Sequence, residues 1–159
     1  MKAAALFALF LLAGTPSFSQ DLGFRGWGVR GGLSDNPDQV VVGVQTDFGE
    51  FIPRLAFRPH LDLGLGDDTT VIALGVPVLY RLPIEGSFTL YGGGGLIVGL
   101  IDEDEDDDVL RDDDGNEVDI SPLLAGGIEW PIGRGDLGVE LNAAGGDLPR
   151  VKLLGVWNF

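Results

Sequence analysis

From Leu55 to Leu65 every second residue is apolar or proline: Leu55, Phe57, Pro59, Leu61, Leu63 and Leu65. The alternate positions hold Arg54, Ala56, Arg58, His60, Asp62 and Gly64. Successive side chains of an extended strand point to opposite faces, so this stretch has one apolar and one polar face. A helix would scatter the same residues around its circumference. The pattern recurs along the chain and excludes a helical fold.

Seven further segments read the same way. From 24 to 33, Trp27, Val29, Gly31 and Leu33 oppose Gly26, Gly28, Arg30 and Gly32. From 40 to 48, Val40, Val42, Val44, Thr46 and Phe48 oppose Val41, Gly43, Gln45 and Asp47. From 70 to 81, Ile72, Leu74, Val76, Val78 and Tyr80 oppose Ala73, Gly75, Pro77 and Arg81. The segment 88–101 is ambiguous. Both its faces are apolar or glycine, and Gly92 to Gly95 signal a bend or a close backbone approach. From 118 to 130, Ile120, Leu124, Ile128 and Trp130 oppose Asp119, Ser121, Gly127 and Glu129. From 137 to 143, Leu137, Val139, Leu141 and Ala143 oppose Gly138, Glu140 and Asn142. In the final segment Val151, Leu153, Gly155, Trp157 and Phe159 share a side, against Lys152 and Asn158. The sequence stops on an aromatic residue, as a terminal strand sealing a barrel would.

Most segments run nine to twelve residues, and tilted strands cross a bilayer in ~9–11. Short turns alternate with loops of variable length, the pattern of membrane barrels. Ahead of the strands, Lys2, the apolar run Ala3 to Ala13, the break at Thr15-Pro16 and the small residues around Ser17 and Ser19 fit a secretory signal over 1–19. The barrel domain is then 20–159. The chain has no cysteine, which excludes disulfides, thiol catalysis and a lipidated N-terminal cysteine. Twelve of the 25 acidic residues and one of the ten basic ones lie between 102 and 119, so the net charge of −15 belongs largely to one segment. Such a charge repels phosphate backbones, so nucleic acid is not an expected partner.

Alternation alone does not orient a barrel. The polar face is mostly Gly, Ala, Ser and Asn with sparse charges of both signs, which suits a narrow lumen better than a water-covered surface. The eleven aromatics after residue 20 also fall near one end if the first strand starts in the periplasm, as at a membrane interface. The other end carries acids instead of a second girdle.

On these grounds the chain resembles the small outer-membrane β-barrel proteins, the OmpX-like and OmpA-like barrels and the opacity-type porins. Gly155, Trp157 and Phe159 look like the C-terminal signal that such proteins present to the barrel-assembly machinery, although Gly155 lies nearer the end than the usual glycine. The resemblance implies an outer-membrane location, lipid and the assembly machinery as partners, and a monomer.

With the polar face inside, Arg30, Asp47, Arg54, Arg58, His60, Asp62, Arg81, Glu129, Glu140 and Lys152 enter one interior. Charges there need partners. A hairpin centred near Glu50 and Phe51 predicts that Asp47 pairs with Arg54, with Arg81 one strand on. The first reading is a structural plug; the alternative is a charged gate for small solutes. His60 has no serine placed with it and is expected as a hydrogen-bonded interior residue, not as part of an enzyme. The acidic segment 102–117 is expected as a solvated outer loop that repels itself. Its alternative reading is Ca²⁺ held by Asp112, Asp114, Asn116 and Asp119, although the EF-hand spacing fails. No other cofactor is expected. The sequence therefore predicts an all-β, eight-stranded antiparallel up-and-down transmembrane barrel in a structural or surface-interaction role. A soluble lipocalin-like barrel with an apolar ligand inside is the remaining alternative.

Overall fold

The structure is a computed structural model that describes residues 23–35, 38–66, 69–103, 116–146 and 148–159. The signal segment 1–19 and most of the acidic loop lie outside the described residues. The strands are β1 (Gly26–Asp35), β2 (Gln39–Asp47), β3 (Glu50–Ile52), β4 (Leu55–Phe57), β5 (His60–Leu65), β6 (Thr69–Ile84), β7 (Phe88–Glu103), β8 (Asn116–Ile132), β9 (Gly135–Ala144) and β10 (Val151–Asn158). Every pairing is antiparallel; β2 pairs with β5 and β4 with β6 around the β3–β4 hairpin, and β1 pairs with β10, Gly28 opposite Asn158 and Asp35 opposite Val151. The result is a closed eight-stranded up-and-down barrel.

Ten elements make eight barrel strands because two strands are interrupted. Pro59 has no N–H to give to a neighbour, and it separates β4 from β5. Both nevertheless keep one register against β6, with Phe57 opposite Val78 and His60 opposite Gly75. Gly49, at φ 76°, separates β2 from β3. The register between Glu50 and Ile52 then shifts against β4. An extra residue inserted at a glycine is how such a bulge forms.

Side-chain placement follows the alternation, inside out relative to a soluble protein. Leu61, Leu124 and Leu153 are 46%, 66% and 57% exposed. Arg30, Asp62, Glu140 and Lys152 are 4%, 1%, 2% and 3% exposed. Water would penalise that exterior and acyl chains would not, which removes the soluble lipocalin-like reading. The exposed belt includes Val42, Val44, Ile72, Leu74, Leu96, Ile120, Val139 and Leu141.

Short turns at one end hold Gly86 and Gly133 at positive φ. At that end Trp27 stacks on Phe159 with ring centroids 4.5 Å apart, and Trp157 meets Phe159 edge-on at 6.2 Å. Tyr91 departs from the expected aromatic ring. It is 6% exposed and turns into the lumen. The opposite rim is aliphatic, with Leu33, Val40, Leu65 and Val118 exposed.

The ambiguous strand β7 has a physical reason for its ambiguity. Its lumen face carries Tyr91, Ile97 and Ile101, so apolar residues lie on both sides. Gly93 and Gly95 face inward where a Cβ would press on the Val78 and Val76 carbonyl oxygens of β6. These are the close approaches that the glycine run signals.

Candidate functional site

Among the described residues, four cations and four carboxylates of the lumen form two ion-paired groups; Asp119 and Asp136 lie on the same face towards its two ends. In the first group, Arg30 of β1 reaches both ways around the barrel. Its Nε lies 3.0 Å from Asp62 on β5 and its Nη2 lies 3.0 Å from Glu140 on β9. Lys152 of β10 donates to the other Asp62 oxygen at 3.0 Å. Tyr91 donates its hydroxyl hydrogen to Glu140 at 2.8 Å.

In the second group Arg58 makes a two-pronged pair with Glu129 of β8, at 3.2 and 3.1 Å. Arg81 reaches the same carboxylate at 3.3 Å. Arg58 and Arg81 each lie 3.5 Å from Asp47. Bidentate guanidinium–carboxylate pairs combine strength with fixed geometry.

Neutral groups join the two. Arg30 donates to Gln45, Gln45 donates to Asn158 at 2.6 Å, and Asn158 donates to Glu129 at 3.2 Å. The Arg58 guanidinium sits over the Tyr91 ring, 5.1 Å from its centroid, within cation–π range. Apart from Arg30–Gln45 and Arg58–Asp47, which join neighbouring strands, the partners stand on non-adjacent strands, so these contacts cross the lumen rather than follow its wall.

Nine of the ten charged or histidine positions predicted for the lumen face it; Arg54 does not. It is exposed at the β3–β4 turn, with φ 72°. Its amide donates to Glu50 and its guanidinium to the Tyr80 hydroxyl. The expected Asp47–Arg54 pair does not form, because the hairpin tip lies between Ile52 and Leu55 rather than at Glu50–Phe51. Moving the tip slides the partner strand along Asp47, so Asp47 meets Arg58. The expected neighbour Arg81 does join Asp47. His60 is buried, with Nε2 3.9 Å from an Asp62 oxygen and its ring packed over Gly75.

The sequence list of lumen charges omitted Gln45, Asn142, Asn158 and Tyr91. Parity on β2, β9 and β10 marks the first three. Nothing in the alternation of β7 marked Tyr91. The lumen also has an apolar section towards the long-loop end, where Val71, Ala73, Ile97, Ile101 and Leu123 pack around Leu148, with Ala144 against them. Leu148 comes from the β9–β10 loop and is 1% exposed.

Of the proposed Ca²⁺ ligands, Asp112 and Asp114 lie outside the described residues, and Asn116 begins β8. Asp119 accepts a hydrogen bond from Ser121 at 2.8 Å. Gly155 and Trp157 lie in β10 and Phe159 follows it. Gly155 sits opposite Gly31, and the Phe159 amide donates to the Trp27 carbonyl across the closing seam.

A closed eight-stranded sheet, an aliphatic exterior and an ion-paired interior together define a transmembrane β-barrel of the bacterial outer-membrane type. Solved structures agree on the fold. The Neisserial surface protein A, NspA, matches with a TM-score of 0.58 at 11% identity, over 84% of this chain and 91% of that one. The Yersinia pestis outer membrane protein Ail, determined in a phospholipid bilayer nanodisc, matches with a TM-score of 0.51 at 10% identity, over 84% and 99%. The de novo designed TMB2.3 matches with a TM-score of 0.53 at 11% identity, over 89% and 97%. No protein-family model matches the sequence, and no curated protein does.

Proposed function

We propose that this chain is a non-conducting, non-enzymatic outer-membrane barrel in a structural or surface-interaction role, exposing an acidic loop over 102–117 to the outside. The observation that carries this reading is the ion network. Arg30 links β5 to β9, Lys152 reaches from β10 to β5, and Arg58 reaches from the β4–β5 junction to β8. An eight-stranded interior is only wide enough for side chains to fill, so contacts of that span leave no bore for a solute. Each of the four cations lies within 3.3 Å of a carboxylate, which suits a plug better than a selectivity ring of charges free to meet an ion. The fold itself carries many functions, so the role rests on the interior and the loop.

The partners of this reading are outer-membrane lipid around the aliphatic belt and the assembly machinery at Gly155, Trp157 and Phe159, with the barrel acting as a monomer. In the acidic loop and the start of β8, Asp112, Asp114, Asn116 and Asp119 offer oxygen ligands for a loosely held Ca²⁺. One feature favours a narrow pore as second reading. A recess of about 190 Å³ at the short-turn mouth is lined by Arg25, Asp47, Arg81, Asp136 and Asn158.

Planar-bilayer recording of the refolded barrel separates the two. The plug reading expects a silent membrane in wild type and discrete openings only when Arg58 and Glu129 are both replaced by alanine. Stepwise conductance in wild type would favour the pore.

A further inference from the structure

The lumen of an outer-membrane barrel is ordinarily polar. Here its section towards the long loops is aliphatic, built by Val71, Ala73, Ile97, Ile101 and Leu123 from three strands. What fills the centre of that ring is no strand residue. Leu148 enters from the loop between β9 and β10. Gly99 of β7 leaves the room, since a Cβ there would strike the Leu148 side chain.

Among the described residues, two backbone hydrogen bonds hold the loop. Gly145 donates to the Pro122 carbonyl at 3.3 Å, and Ala144 donates to the Arg150 carbonyl at 3.1 Å. Gly146, at φ 69°, lies flat against Asp119 and Ser121. Two adjacent glycines ahead of Leu148 supply a hinge.

Beside the aliphatic ring lies an amide without partners. Asn142 is 1% exposed, and neither its nitrogen nor its oxygen has a hydrogen-bond partner. It stands two residues from Ala144 on the same face of β9 and opposite Ala125. A buried polar group in this condition calls for an explanation, because leaving both donor and acceptor unmet is costly.

We propose that this section is a blind binding chamber for a short aliphatic molecule with one neutral hydrogen-bonding head, an alcohol or amide. Leu148 occupies the place of its chain. The chain enters the ring of Val71, Ile97, Ile101 and Leu123 when Leu148 swings out. The head meets Asn142, whose amide both donates and accepts. The head is neutral because the cations nearest it, Arg30 and Lys152, are already paired with Asp62 and Glu140. The ion network closes the far side, so the chamber admits a ligand without passing it.

Methyl NMR of the refolded barrel in nanodiscs, titrated with 1-hexanol, tests the proposal. Hexanol also dissolves in lipid, so the exterior methyls of Ile72 and Ile120 serve as the control and drift without saturating. The Ile97 and Ile101 methyls are expected to shift saturably in wild type. In Leu148→Ala the midpoint falls about tenfold, because the loop no longer competes for the site. Asn142→Leu weakens hexanol but not hexane. Heat-modifiable gel migration confirms folding of each variant, and the wild-type titration stands without them. Interior methyls that move no differently from the exterior ones overturn the proposal. So does saturation in Leu148→Ala with none in wild type, which makes Leu148 permanent packing.

Discussion

Arg30 is the residue whose loss the structure predicts to be most costly, and the charge balance specifies the cure. Replacement by methionine keeps the length of the side chain and removes the charge. Two carboxylates then lose a partner at once, Asp62 and Glu140, each 3.0 Å from the guanidinium and each almost fully buried. At an effective dielectric constant of about 20, opposite charges 3 Å apart attract by roughly 5 kcal/mol. Part of that is regained because Arg30 itself no longer has to be desolvated. Asp62 also keeps Lys152, and Glu140 keeps the Tyr91 hydroxyl. Breaking a buried pair from one side costs about 3–5 kcal/mol, and two stranded carboxylates place Arg30→Met at the upper end. The double variant Arg30→Met with Glu140→Gln leaves Lys152 and Asp62 as a balanced pair. It should recover at least about 2 kcal/mol of the loss, since neighbours in one network couple on that scale. Urea unfolding of the barrel from lipid vesicles reads this through the fluorescence of Trp27, Trp130 and Trp157. A double variant no more stable than Arg30→Met refutes the reasoning, because it would mean that the network does not act through charge balance.

Three further outcomes follow from the same placement. Leu61→Arg, on the lipid face beside buried Asp62, should destabilise the barrel by about 2–4 kcal/mol in the same assay, the cost of a cation near the bilayer midplane; a loss under 1 kcal/mol would put Leu61 somewhere other than in lipid. Arg54→Gly should be neutral or stabilising by up to about 1 kcal/mol, because glycine takes the left-handed conformation at the β3–β4 turn freely. A loss of several kcal/mol there would restore Arg54 to the ion network. Calorimetric titration with Ca²⁺ should show millimolar binding that disappears when Asp112, Asp114 and Asp119 are changed together to asparagine. Absence of heat at millimolar Ca²⁺ in wild type removes the metal reading of the loop.

How far the sequence exposes this structure depends on the contrast between its two faces. Where lipid lies on one side and the ion network on the other, as on β5 and β9, parity alone places Asp62, Glu140 and Asn142 inside and Leu61, Val139 and Leu141 outside. A one-residue slip would exchange the two sets, so the register is strongly specified. Where the lumen itself turns aliphatic the contrast disappears. That is why β7 is illegible and why Tyr91, an aromatic at the level of the interface, gives no sign of pointing inward. Pair assignments fail for a different reason. Asp47 sits on the expected strand, but its partner depends on where the hairpin tip falls; a bulge at Gly49 moves the tip and leaves Arg54 in the turn. Leu148 is in a loop and has no period at all. Periodicity finds faces; it does not find bulges or a loop residue that returns to the core.

The arrangement of the network also bears on how the barrel closes. Arg30 lies on the first strand and Lys152 on the last, and both meet Asp62. Glu140 on β9 meets Arg30 on the other side of the β1–β10 seam. In an open sheet the first three barrel strands hold Arg30 and Asp62 while Glu140 and Lys152 stand at the far edge, so this group pairs fully only after β1 has met β10. The hydrogen bonds of the seam, Gly28 to Asn158 through Asp35 to Val151, form at the same step. Desolvating the charges before closure is costly, and after closure they are paired, so partly closed forms are penalised relative to both ends of the reaction. Lipid favours the closed form for the same reason, since an open sheet edge cannot satisfy its backbone in hydrocarbon. Interior charge and exterior lipid thus act on one event from opposite sides of the wall. Pairing of all four interior cations with carboxylates on other strands serves that event, which is the physical reason to expect a plug.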